Sequence, residues 1–187
     1  MSNEFGQYKI EKLLKIGGMA SIYKAIDPNY NTVVLKIIHE SFLEDQDLLN
    51  KFLNEYAILN KLNTKYPNAN IIKCFGSGVD SISKRPYLVL EFIDGLDFDD
   101  LLKTQGKIDL EAAIFYIIQI AEALSYCHAE KIWHRDISPG NIILLKNNTI
   151  KILDFGVAKV EYLGKNTPDG SLPVSYTHLT LPTIYSV

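Results

Sequence analysis

His-Arg-Asp-Ile-Ser-Pro-Gly-Asn at residues 134–141 opens the stretch that decides the reading of this chain; two apolar runs follow it, and the stretch ends in Asp154-Phe155-Gly156. Asp136, Asn141 and Asp154 offer two carboxylates and an amide close together in sequence. These are hard oxygen groups of the kind Mg2+ prefers, and the carboxylates can also accept a proton. The runs Asn141-Ile-Ile-Leu-Leu and Ile150-Lys-Ile-Leu read as two short strands joined by a turn at Lys146-Asn147-Asn148. Such a hairpin would return Asp154 towards Asn141, so that three separated side chains share one phosphate site.

Taken together, these residues resemble the catalytic loop and metal-binding motif of the eukaryotic-type protein kinases, the bacterial Ser/Thr kinases in particular. A lone tripeptide of either kind occurs by chance, whereas the ordered set described below is hard to obtain by accident. The resemblance implies an α+β, bilobal protein kinase-like fold, with the small β-rich lobe complete and the large helical lobe incomplete. Residues 1–93 are then the nucleotide-binding lobe. Residues 94–173 hold the catalytic loop, the Asp-Phe-Gly motif and the start of the activation loop. ATP and Mg2+ are the implied cofactors, and a protein carrying a Ser or Thr hydroxyl is the implied partner.

Composition agrees with a globular chain: 187 residues, 47% apolar and 22% charged, enough for one or two compact cores. A net charge of −3 gives no electrostatic reason to expect nucleic acid or an anionic membrane as partner. The polar start and the lack of a recognisable run of about 20 apolar residues lead us to expect neither a signal peptide nor a membrane segment, and hence a cytoplasmic location. Cys74 and Cys127 lie in apolar stretches without metal-type spacing and are expected to be buried free thiols.

From the start, Tyr8-Lys-Ile-Glu-Lys-Leu-Leu and Ala20-Ser-Ile-Tyr-Lys-Ala-Ile-Asp alternate as strands around Gly17-Gly18-Met19. Glycines let backbone N–H groups approach phosphate oxygens, although an ordinary hairpin turn has the same signature. The segment resembles the nucleotide-covering loop of bacterial kinases, with Lys15 and Ala20 standing where two of the three usual glycines would be. Asn31-Thr-Val-Val-Leu-Lys-Ile-Ile reads as a strand with Lys36 in its middle. A lysine there needs an anion or carboxylate, unless it snorkels from an edge strand. The run Asp47 to Leu62 has helical spacing and contains Glu55, which by resemblance clamps Lys36 against the phosphates and otherwise would be a solvated helix residue.

Ile71 to Gly78 reads as the next strand, with Asp80 to Arg85 as a hairpin loop, and Pro86-Tyr-Leu-Val-Leu-Glu as another. By resemblance the latter runs into the hinge. Leu90 takes the gatekeeper position, and Glu91 and Ile93 offer backbone groups to adenine, between apolar residues Leu14, Ile22, Val34 and Ile143. Asp97 stands where the family often places an acid near the ribose, and equally where an acid starts the helix Phe98 to Lys103. The longest helix, Asp109 to Cys127, has Asp109 as N-cap and is apolar over most of its circumference. It reads as a buried spine with Glu111, Gln119, Glu122 and Ser125 on a narrow wet side.

The family resemblance assigns Asp136 as the proton acceptor, Asn141 and Asp154 as Mg2+ ligands, and Lys36, Glu55, Gly17 and Gly18 as the groups that position ATP. His134 is expected to pack beneath Phe155 rather than act as a base. Ser138 departs from the family pattern, which has a lysine there. A nucleotide-binding pseudokinase and a small-molecule kinase are the alternatives. Thr167 and Ser171 are candidate phosphosites. Val174-Ser-Tyr-Thr-His-Leu-Thr-Leu-Pro-Thr reads as a translated sequencing adaptor (GTC TCT TAT ACA CAT CT in frame), so residues 174–187 are expected to be non-native.

Overall fold

The computed structural model describes residues 4–64 and 67–160; Thr167, Ser171 and the tail 174–187 lie outside them. Nine of the strands form two sheets. Strands β1 (Glu4–Phe5), β2 (Tyr8–Ile16), β3 (Ala20–Ile26), β4 (Thr32–Ile38), β5 (Cys74–Val79) and β6 (Pro86–Glu91) make an antiparallel sheet in the order β1-β2-β3-β4-β6-β5. Its centre, β4, is buried from Val33 to Ile38, as the β-branched run Thr-Val-Val requires of a strand covered on both faces. Tyr8, Ala25, Val33, Leu35, Ile37 and Val89 form the core on one face.

The other face of the sheet meets helix α1 (Gln46–Thr64), which lies between β4 and β5 in sequence. Phe52, Glu55, Ile58, Leu59 and Leu62 are its buried residues. Spacings of three and four put them on one stripe, and full burial of each large apolar side chain contributes roughly 1.5–3 kcal/mol. This stripe joins Val34, Ile38 and Leu88 of the sheet in a core that continues into the large lobe through Ile132, Ile150, Ile152 and Phe155.

After β6 the chain crosses to the large lobe. There β7 (Gly95–Asp97) pairs with β9 (Ile142–Leu145), and β9 pairs in turn with β10 (Ile150–Ile152). The expected hairpin is thus present, with Lys151 opposite Ile143. Gly95 has no room for a side chain, because a Cβ there would lie 2.4 Å from the Leu144 carbonyl oxygen. Helix α2 (Phe98–Gln105) runs two residues beyond expectation and ends where Gly106 takes φ 76° and its N–H bonds Leu102 O at 2.8 Å. Helix α3 (Leu110–Ala129) follows, capped by the Asp109 carboxylate on Glu111 N. A short strand, β8 (Ile132–Trp133), leads to the catalytic loop and pairs with β11 (Lys159–Val160).

Four expectations need correcting. The strand read from Ile71 begins at Cys74, because the backbone of residues 70–72 is taken by the large lobe: Ile152 N donates to Asn70 O at 2.8 Å, and Ile72 N to Ile152 O at 3.1 Å. Helix α3 is not a buried spine. Tyr116, Ala123 and Cys127 are buried, but Leu110, Ile114, Phe115, Ile117 and Ile118 are each at least half exposed. By length and composition the same helix is apolar enough to cross a membrane, since four polar residues do not offset the rest. One side of it packs on β8 and β10. Finally, Gln119 is no wet-side residue: it accepts from Asn70 Nδ2 (2.9 Å) and Ile150 N (3.0 Å) and donates to Asn148 O (2.9 Å). Both cysteines are free thiols, Cys127 buried and Cys74 only partly so; burial pushes them up to about 12 and about 11.

Candidate active site

Lys36 projects from the middle of β4 on the face that carries Val34 and Ile38, with Ile22 and Leu88 as its strand neighbours. Its Nζ donates to Glu55 Oε1 at 2.9 Å, to Glu55 Oε2 at 2.6 Å and to Asp154 Oδ1 at 3.0 Å. Helix α1 delivers Glu55, 1% exposed, from the centre of its buried stripe. The large lobe delivers Asp154, whose side chain keeps 47% exposure. One ammonium therefore ties a strand, a helix and the segment after β10.

The charges follow from this arrangement. Burial works against the Lys36 ammonium, but the two carboxylates outweigh it and leave its pKa raised. For Glu55 burial prevails over the attraction of Lys36, and its pKa is raised too. Burial also pushes Asp154 upwards, yet Lys36 and the Gly156 N–H together hold it below the ordinary carboxylate range. Asp154 is thus ionised at neutral pH and open on one side. Its backbone takes φ 55° and that of Arg135 φ 69°, left-handed conformations that non-glycine residues adopt at a cost of order 1–3 kcal/mol and that cluster at functional sites.

The catalytic loop is held from below. His134 is 2% exposed; its Nε2 bonds Leu153 O at 2.7 Å and its ring meets the Phe155 ring edge-on at 4.6 Å. Burial lowers its pKa, so the neutral imidazole is the resident form. Asn141 Nδ2 donates to both Asp136 O and Asp136 Oδ2 at 2.9 Å, and Leu153 N donates to Asn141 O at 2.8 Å. Asp136 is exposed. The hairpin thus brings Asp136, Asn141 and Asp154 to one edge of the cleft, with Lys36 and Glu55 behind Asp154.

The donor set suits a divalent cation held partly by phosphate. Among the described residues no group of three His, Cys, Asp or Glu side chains forms a dedicated cage, and Mg2+ at phosphoryl-transfer sites takes one or two carboxylates plus substrate phosphates. Asp154 with the Asn141 amide oxygen matches that pattern.

The apolar candidates are spread along the strands. Val34 is buried and Ile22 half-buried in the shared core, Leu14 is exposed on β2, and Ile143 lies opposite Asp97 in the β7–β9 pair. Asp97 caps α2, accepting from Asp100 N at 2.8 Å. Gly17 N bonds Ala20 O at 2.9 Å to close the turn, and Gly18 has open space around it. Neither glycine has a positive φ, and a Cβ on Gly17 would crowd Ala20 O at 3.1 Å within the turn itself. Ile93 packs at the edge of the main core. A depression of about 330 Å³ lined by Tyr8, Asp27, Asn31, Thr32, Val33, Phe75 and Val89 is on the opposite face of the sheet from Lys36, and the Asp27 carboxylate there is already engaged by Asn29 and Asn31.

Sequence reasoning missed two features. Lys151 is buried and bonds Glu91, and the Arg135 Nε is buried with no hydrogen-bond partner among the described residues. The first had a signal, since Lys151 stands in an apolar run just as Lys36 does.

A curled antiparallel lobe with one helix at its back, a hairpin carrying the His-Arg-Asp and Asp-Phe-Gly motifs, and a lysine clamped between two acids define a class of fold. The sequence matches the protein kinase domain family over residues 8–177, and the chain belongs to that family. Among its relatives, a probable serine/threonine-protein kinase of Clostridium acetobutylicum is 38% identical over 154 residues, covering 82% of this chain and 22% of the relative. The serine/threonine-protein kinase PknA of Mycobacterium tuberculosis is 31% identical over 156 residues, 82% of this chain and 36% of that protein. The probable serine/threonine-protein kinase PknB of Bifidobacterium longum is 31% identical over 162 residues, with 82% and 23% coverage. The chain thus spans roughly a fifth to a third of the length of these relatives.

Proposed function

We propose that the chain carries the nucleotide site and catalytic loop of a protein Ser/Thr kinase that transfers the γ-phosphoryl of ATP to a protein hydroxyl. The observation that supports this best is the Lys36–Glu55–Asp154 cluster beside the Asp136–Asn141 pair. Lys36, fixed by Glu55, orients the α- and β-phosphates, and the Gly17-Gly18 turn covers them. Asp154 and Asn141 would hold Mg2+, which when bound would neutralise phosphate oxygens. Asp136 accepts the proton of the Ser or Thr hydroxyl as its oxygen bonds the γ-phosphorus and the bond from phosphorus to the departing ADP oxygen breaks. Glu91 and Ile93 meet adenine through the backbone, between Leu14, Ile22, Val34 and Ile143, with Asp97 beside the ribose. Positioning and charge neutralisation supply most of the rate in this chemistry, which suits a site built from locked side chains.

Ser138 favours a slower enzyme, since a serine brings no charge to the transferred phosphate. The test is a catalytic domain completed with the remaining large-lobe sequence, incubated with labelled ATP, Mg2+ and a generic basic protein. It is expected to transfer label to itself or to that protein. Transfer no greater than that of an Asp136→Asn form, with nucleotide binding intact, would replace this reading by that of a pseudokinase.

A further inference from the structure

Behind the hinge lies a second buried lysine. Lys151, on β10, is 7% exposed. Its Nζ donates to Glu91 Oε1 at 2.5 Å and to Ile71 O at 3.3 Å. The same Glu91 oxygen accepts from Lys73 N at 2.7 Å, and Glu91 N donates to Lys73 O at 3.0 Å. Glu91 is the last residue of β6, where the sheet gives way to the hinge. Its side chain and its backbone are therefore both held, by one ammonium from the large lobe and by the backbone N–H and C=O of Lys73 in the segment before β5. Lys151 itself is set by pairing with Ile143 and is three residues from Asp154.

We infer that Lys151 is a positioning residue for base recognition: by pinning Glu91 it fixes the hinge backbone that reads the adenine edge. The inference rests on the nucleotide-binding reading above and adds to it the residue that sets base selectivity. A buried charge pair is a rigid link, because loss of either partner strands the other charge away from water. Backbone recognition of a base edge also demands that donors and acceptors stay within a few tenths of an ångström. A looser Glu91 affects the adenine contacts, while phosphate contacts through Lys36 and Asp154 lie elsewhere in the cleft.

The test is titration of the 187-residue chain with ATP and with GTP, each with Mg2+, followed by calorimetry. The wild type is expected to prefer ATP. Lys151→Met is expected to lose about tenfold in ATP affinity and much less for GTP, so the ratio collapses; Lys151→Arg keeps the ratio. A merely structural loss of stability would lower both nucleotides alike. Glu91→Gln, whose amide oxygen still accepts from Lys73 N, is the second reading should Lys151→Met fail to fold, and it is expected to behave as Lys151→Met does. A folded Lys151→Met or Glu91→Gln form with the wild-type ATP-to-GTP ratio overturns the inference. A wild type that binds neither nucleotide overturns instead the functional reading beneath it.

Discussion

The two lobes put their apolar sequence to different ends. In the small lobe the centre of β4 and the inward stripe of α1 are covered: Leu35, Ile38, Phe52, Leu59 and Leu62 are all fully buried. In the large lobe α3 is more apolar than α1 or α2, yet only one side of it meets β8 and β10, and Ile114, Phe115, Ile117 and Ile118 face outwards. Polar groups show the reverse. The small lobe buries Lys36 and Glu55 against each other, whereas the large lobe presents Asp136 and the open side of Asp154 to the cleft. On the proposed function, the small lobe contributes the buried Lys36–Glu55 pair that holds the phosphates, and the large lobe the exposed Asp136 and Asp154 that face the transferred group.

The strongest test of that division is to break the small-lobe pair. Glu55→Ala strands the buried Lys36 with only the half-exposed Asp154 beside it, and such a loss costs about 3–5 kcal/mol. Denaturant unfolding should show it, together with a large drop in nucleotide affinity. An unchanged midpoint would mean the pair does not organise the lobe. Next comes the apolar contrast. Leu59→Ala is expected to cost about 2–5 kcal/mol, while Ile117→Ser on the open face of α3 should stay within about 0.5 kcal/mol and raise solubility, since exposed apolar surface of this extent favours association. Equal losses at the two positions would erase the difference between the lobes.

Gly95 tests the packing of β7 on β9 inside the large lobe. A Cβ there meets Leu144 O at 2.4 Å and Ile143 Cγ2 at 2.6 Å, so Gly95→Ala should cost about 1–3 kcal/mol. Gly18→Ala, with open space around it, should leave the melt unchanged and weaken only phosphate binding.

The smallest effect expected is one of pH. His134 has its pKa lowered from the ordinary 6.5 by burial, so the unfolded chain binds the extra proton first. The stability it contributes is complete above 6.5 and is lost as pH falls towards and through the depressed value. Glu55, raised above 4.5 by burial, runs the other way, contributing stability below 4.5 that is lost as pH rises through its raised value. Unfolding midpoints at pH 7.5 and 5.5 for wild type and His134→Gln separate the two, and the variant should lose part of the decline on acidification. An identical decline in both would remove His134 from the account.

Much of this was legible in the sequence because the fold repeats short, local signals. The β9–β10 hairpin follows from two apolar runs around Lys146-Asn147-Asn148, and α3 follows from its Asp109 cap and apolar periodicity. The family resemblance named Glu55 as the partner of Lys36, and that Lys36 needs a carboxylate followed from the cost of a lysine in a β-branched strand. That argument, applied to Ile150-Lys151-Ile152, would have flagged Lys151, although not its partner, which is sixty residues away in the chain. What remained hidden depends on contacts between distant segments. The segment Asn70 to Ile72 looks like strand by composition but gives its backbone to β10, and Gln119 looks solvated by helical position but bridges Asn70, Asn148 and Ile150. Which side of α3 is covered is likewise a property of its neighbours, not of its own pattern.

The central claim is that Asp154 and Asn141, backed by Lys36 and Glu55, hold a Mg2+-nucleotide. Calorimetric titration of the chain with ATP, in the presence of Mg2+ and again in excess EDTA, for the wild type and for Asp154→Asn, addresses it directly. The account predicts wild-type binding at least about tenfold tighter with Mg2+ than without, and an Asp154→Asn form that has lost this dependence. Binding of equal strength with and without Mg2+, unaltered by Asp154→Asn, would contradict it.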